Sequence, residues 1–183
     1  MVSRHYLEDV GRQFRKLKGL ADRCLLRLSD DELFSSLEGT NSVAIVVKHM
    51  AGNMRSRWTD FLTTDGDKPD RRRDREFVIE DGDSRSRLLE RWEAGWRQLF
   101  DALEALGGDD LLRTVFIRGE PHTVLEAIQR QLSHYAYHVG QIVLLARHFK
   151  GDRWQSLSIP PGKSEEFEVS KEGALYGLDG SQE

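Results

Sequence analysis

At 183 residues the chain is long enough for one domain to bury a core, and its single cysteine, Cys24, excludes an internal disulfide framework. With 27 Lys and Arg against 31 Asp and Glu, the net charge of -4 argues against the basic face that a nucleic-acid partner requires. No apolar run approaches the ~20 residues that span a bilayer, and the opening MVSRHYLEDVGRQ lacks the apolar stretch of a secretory signal, so a cytoplasmic protein with no membrane partner is expected.

In chain order, Leu7, Val10, Phe14, Leu17, Ala21, Leu25 and Leu28 recur at helical spacing and predict a first amphipathic helix, with Cys24 a small buried side chain on it. Ser29, Asp30 and Asp31, then Gly39 to Ser42, read as a polar bridge. A second helix is expected from about Ser42 to Thr63 on the stripe Val43, Val47, Met50, Met54, Trp58 and Phe61. The stretch from Thr64 to Asp83 carries Gly66, Pro69, Gly82 and a near-even mixture of acids and bases, which reads as a long solvated loop. A third helix follows from about Ser84 to Leu106, with Trp92 and Trp96 among its core residues, and stops at Gly107-Gly108. Residues 114 to 122, TVFIRGEPH, favour extended backbone around Gly119 and predict a short hairpin or crossover. The fourth helix runs from Thr123 to Lys150, opened by a Thr123/Glu126 capping box, and its length suggests a bend at Gly140. Residues 151–183 form a C-terminal extension whose start, with Trp154, Leu157 and Ile159, is expected to pack on the helices and whose last ten or so residues fray. The sum is an all-α, single-domain four-helix bundle over residues 1–183, with a long loop after helix two.

His134 and His138 lie one turn apart on the flank of the fourth helix's apolar arc, and His49 lies beside the stripe of the second helix, so all three are expected to be half-covered. Three neutral imidazoles with an open position suit Zn²⁺, and also Ni²⁺, Fe²⁺, Co²⁺ or Mn²⁺. The same spacing suits half-buried histidines that only hydrogen-bond to their neighbours, and spacing does not choose between the two. Tyr135 stands where a His-Glu-x-x-His protease has its general base, which excludes that class, and the paired Glu-x-x-His motifs of di-iron bundles are absent. His122 and Glu126 are alternative ligands from the crossover, set against a surface histidine and a helix cap. Tyr137 and Gln141 stand where they can hydrogen-bond a metal-bound water or a substrate, or simply pack or face solvent. Arg71, Arg72 and Arg73 can receive the carboxylates of an anionic cosubstrate or pair with the acids of their own loop.

Three strings carry a resemblance. VVKHMAGNMRSRWTDFLTTDGDKP, HTVLEAIQRQLSHYAYHVGQIVLLARHF and WQSLSIPPGKSEEF resemble the DinB-like superfamily, in an uncharacterised branch. That resemblance implies a four-helix bundle that binds a divalent metal, Zn or Ni foremost, through His49, His134 and His138. Characterised members include bacillithiol transferases and the mycothiol-dependent maleylpyruvate isomerase, in which the metal lowers the pKa of a coordinated thiol. The resemblance therefore implies a small-molecule partner such as a low-molecular-weight thiol, and transfer or hydrolysis at the metal, with no catalytic residue carried over. A non-enzymatic metal-binding or stress-related module with a structural or vestigial site is the alternative. Many members pair as dimers, and the resemblance allows a homodimer here.

Overall fold

The structure is a computed structural model that describes residues 2–166. Five α-helices and one two-stranded antiparallel sheet make up most of it. Helix α1, Val2–Arg27, buries Val10, Phe14, Ala21, Cys24 and Leu25 along its expected stripe. The supposed polar bridge then holds a short helix, α2 (Asp30–Phe34), which its own cap explains. Ser29 Oγ accepts from the Glu32 N–H at 3.2 Å, and Glu32 Oε2 accepts from the Ser29 N–H at 2.7 Å. Leu33 closes this turn into the core.

Helix α3 covers Val43–Trp58 and ends short of the expected Thr63. Thr59 is extended, Asp60 takes a positive φ of 48°, and the N–H groups of Thr63 and Thr64 both return to the Asp60 carbonyl at 3.0 Å. Phe61 keeps the helical spacing only by coincidence: its ring packs 4.9 Å from Trp58 across this turn. Helix α4, Arg85–Glu104, starts at the Ser84 cap and buries Leu88, Trp92, Trp96 and Leu99.

Strands β1 (Thr114–Ile117) and β2 (Glu120–Thr123) form a hairpin in which Ile117 pairs with Glu120. Its two turn residues, Arg118 and Gly119, have φ of 57° and 74°, the mirror-image turn that suits the twist of paired strands. Helix α5, Val124–Lys150, begins at the Thr123/Glu126 capping box and stays helical through Gly140, the expected bend.

Helix α3 packs on α4 and α5, and α1 packs on α5 and α4. Phe14, Trp58, Trp96 and Tyr135 meet between them with ring centroids 5.9 to 6.4 Å apart. Burial pushes the Tyr135 phenol pKa up, so it stays protonated. It donates to Asn53 Oδ1 at 2.9 Å and accepts from Trp58 Nε1 at 3.1 Å. Apolar packing allows helices to slide, whereas these buried bonds are satisfied in one register only. That register sets His49, one turn before Asn53, opposite His134, the neighbour of Tyr135.

The charged stretch after α3 is the expected long loop and many of its side chains face solvent, but it is anchored at several points by buried charges. Lys48 on α3 is buried and donates to the Val78 carbonyl at 2.8 Å and to Asp83 Oδ2 at 2.5 Å. A 3-10 turn at Arg73–Phe77 presses Glu76 against α3. At the other end Asp65 accepts from the backbone N–H groups of Arg118 and Gly119 at 2.9 and 2.7 Å, tying the loop to the hairpin tip. A balanced run of charges reads as solvated by composition, yet the same balance gives each buried charge a partner here.

The chain divides into two compact units, residues 1–151 and the segment from Asp152 onward. Within the second, Ser164–Glu166 forms a 3-10 turn, and the expected frayed tail lies outside the described residues. Among the described residues no helix is long and apolar enough to cross a membrane.

Candidate metal centre

The register of α3 against α5 brings His49, His134 and His138 together, one ligand atom of each lying within 4.8 Å of the others. The two nearest approaches are between Nε2 atoms: His134 to His138 at 3.0 Å and His134 to His49 at 3.4 Å. The expected half-coverage holds for His134 and His138, but His49 is buried. Phe77, carried by the loop, lies 4.8 Å from its ring, and Glu76 closes the other edge.

The outer nitrogens decide what the inner ones can do. His49 Nδ1 lies 2.9 Å from Glu76 Oε2 and therefore carries the proton. His138 Nδ1 donates likewise to Gln141 Oε1 at 2.8 Å, and the Gln141 amide is oriented by donating to the Tyr137 hydroxyl at 3.2 Å. In the neutral imidazoles this leaves bare lone pairs on Nε2 of His49 and His138, both aimed at His134. His134 can offer one proton to one of them. Three nitrogens so grouped could hold a shared cation, and the outer bonds are of the kind that orient metal-bound histidines and raise their basicity. A tetrahedral ion at ~2.0–2.1 Å from each nitrogen sets neighbouring nitrogens about 3.3–3.4 Å apart; His134 to His49 meets that spacing, His134 to His138 is a few tenths of an ångström inside it, and all three ligand atoms lie within 4.8 Å of one another.

Glu76 is held from three sides. Arg71 grips it through two parallel bonds, Nε to Oε1 and Nη2 to Oε2, each 2.8 Å. Burial pushes the Glu76 carboxyl pKa up, and the bonds from Arg71 and His49 together outweigh that and hold it below the usual carboxylate range. The carboxylate rests on Gly52, where an added Cβ would lie 2.7 Å from its carboxyl carbon. Sequence reasoning missed both Glu76 and Gly52. The one available signal was a glycine three residues after His49 on the same helix, which no local pattern links to an acid in the loop.

Burial is the main reason the His134 imidazole is pushed down to about 3, with the facing His138 and His49 adding to it. Burial also lowers His138, against the opposing bond to Gln141. Both folded-state values lie below the ~6.5 of an unfolded histidine, so the unfolded chain binds more protons as acid is added. The stability carried by neutral imidazoles is therefore present above about pH 6.5 and lost as the pH falls from there toward 3. Melting temperature measured from pH 7 to pH 4 on metal-free protein is expected to fall, and to fall less in His134→Ala. Metal affinity of the folded protein is expected to drop only as the pH nears those lowered folded-state values, where protons begin to compete for the same lone pairs.

The other candidates lie elsewhere. His122 sits on β2 with Nδ1 bonded to the Glu120 carbonyl at 3.0 Å, and Glu126 is engaged in the cap of α5. Arg71 answers to its own loop's Glu76, and Tyr137 is largely exposed. Beside the histidines opens a cavity of about 200 Å³ walled on one side by His49 and His134. A larger one of about 420 Å³, between α3, α4 and the loop, shares Arg71 with it, reaches Glu76 and contains no histidine.

A mostly helical fold that gathers three imidazoles, with a carboxylate and an amide behind two of them, defines a protein able to hold a metal ion. The chain belongs to the family described as Protein of unknown function (DUF1572), whose model matches residues 1–163 and so includes every residue of this centre. No curated protein and no solved structure matches it.

Proposed function

We propose that the four long helices form a DinB-like bundle and that the protein is a cytoplasmic divalent-metal-dependent enzyme acting on a small molecule, by thiol transfer or hydrolysis. His49, His134 and His138 are its ligands, and Zn²⁺ or Ni²⁺ suits them best. The observation that carries this reading is the meeting of three Nε2 atoms at the edge of an open cavity. A metal so held lowers the pKa of a coordinated thiol or water, so that a nucleophile exists at neutral pH.

The chain's own residues prepare that site. Glu76 and Gln141 hold the protons of His49 and His138 on Nδ1 and keep Nε2 free. Phe77 shields the His49 ring from water. A structural site closes around its ion with a fourth protein ligand, and the two residues best placed in sequence to supply one, His122 and Glu126, are committed to the hairpin and the cap. An open fourth position favours turnover over a purely structural role.

Elemental analysis of protein purified without chelator and supplied with Zn²⁺ or Ni²⁺ is expected to find one metal per chain. Protein that retains none after removal of excess ion would end this reading.

A further inference from the structure

The cavity beside the histidines is lined by five arginines, Arg57, Arg71, Arg73, Arg118 and Arg130, and by no acidic side chain. They arrive from separate places: α3, the loop, the hairpin turn and α5. Such convergence in a chain of net charge -4 is not the overflow of a basic surface. Gathering like charges costs repulsion, and a nearby anion offsets it.

Only part of this charge is answered within the protein. Arg71 is engaged by Glu76. Asp67 is shared among Arg118 at 3.1 Å, Arg57 at 3.3 Å and Arg71 at 3.8 Å. Arg73 lies over the Phe77 ring and 3.8 Å from the fully exposed Asp74. Arg130 is 3.5 Å from His122 Nε2. Two buried polar atoms of residues on the wall have no hydrogen-bond partner, Arg57 Nε and Gln131 Oε1. A buried donor left unpaired is costly, and its residue belongs to the wall of a cavity of about 200 Å³, room for a small molecule's acid group.

We propose that this cavity is the subsite for the acid group of a small anionic substrate, a carboxylate or phosphate received by Arg73, Arg118 and Arg130. The rest of the molecule then faces His49 and His134, so the reacting atom sits toward the open position of the metal centre. Guanidinium forks match both kinds of oxyanion in planar, paired contacts. As to which atom reacts, this inference rests on the metal-centre reading; as to anion binding, it stands on the arginines alone.

The test separates the two. Succinate and inorganic phosphate are titrated calorimetrically, at constant ionic strength, into chelator-stripped protein and into Zn²⁺-loaded protein. Saturable one-to-one binding of at least one anion is expected in both forms, and the tighter of the two tells carboxylate from phosphate. The triple variant R73Q/R118Q/R130Q is expected to bind at least about tenfold more weakly, since hydrogen bonds to charged groups are the stronger ones, while taking up metal as the wild type does. Should the triple change disturb folding, Arg130→Gln, on an exposed position of α5, is expected to show a severalfold loss by itself. Absence of saturable binding by either anion, or wild-type binding by the folded variants, overturns the subsite. Anion binding without stoichiometric metal leaves the subsite standing and removes the metal centre.

Discussion

Replacing His134 with alanine is expected to weaken metal binding at least about a hundredfold, because loss of an outer partner alone costs about 10–100-fold and His134 is the nitrogen that faces both others. Competition with a chromophoric chelator measures it. The same substitution distinguishes a metal centre from three hydrogen-bonded histidines. In a metal centre the metal-free protein keeps two bare nitrogens aimed at His134, so removing that ring relieves crowding, and the metal-free melting temperature is expected to stay level or rise. If the histidines merely bonded one another, the variant would lose about 1 kcal/mol per bond. Saturating metal, at a hundredfold over Kd, is expected to stabilise the wild type by about 2.7 kcal/mol, on the order of 5–10 °C, and the variant hardly at all. Wild-type affinity in His134→Ala would overturn the assignment of this residue.

The second large effect lies one step back from the ligands. Gly52→Ala is expected to reduce metal affinity about 10–100-fold although position 52 offers no ligand, because the new methyl occupies the place of the Glu76 carboxylate. Gripped by Arg71 and bonded to His49, that carboxylate cannot swing aside without losing one of its partners. Glu76→Gln is expected to act in the same direction, since a neutral amide supports the imidazole less well, and also to cost about 3 kcal/mol of stability by leaving the buried Arg71 side chain with only the more distant Asp67, at 3.8 Å, as a counter-charge. Denaturant unfolding reads the second effect and chelator competition the first. Both variants binding metal as tightly as wild type would show that Glu76 plays no part in holding it.

Legibility in the sequence followed the range of the interaction. Helix caps are local: Ser84 and Thr123 mark starts that the structure places there, and the overlooked α2 carries an equally readable Ser29/Glu32 cap inside a stretch too polar to attract notice. The end of α3 is hidden because Phe61 continues the apolar spacing after the backbone has turned at Asp60. Periodicity reports which side chains are covered, and a turn can cover one, as it partly covers Phe61, as well as a helix can.

By itself the sequence determined the long helices, extended backbone around Gly119 that the structure resolves as a hairpin, and the pairing of His134 with His138, because each depends on residues within a turn or two of one another. Only the tertiary structure decided that His49, 85 residues earlier, meets His134, through a register set by the Tyr135 bonds to Asn53 and Trp58. It alone decided that a balanced charged loop supplies Glu76 and Arg71 to the centre and that arginines from α3, the loop, the hairpin and α5 share one cavity. A charge pattern along the chain carries no information about which charge will find which partner, since that follows from helix register and from the cost of burying any charge alone.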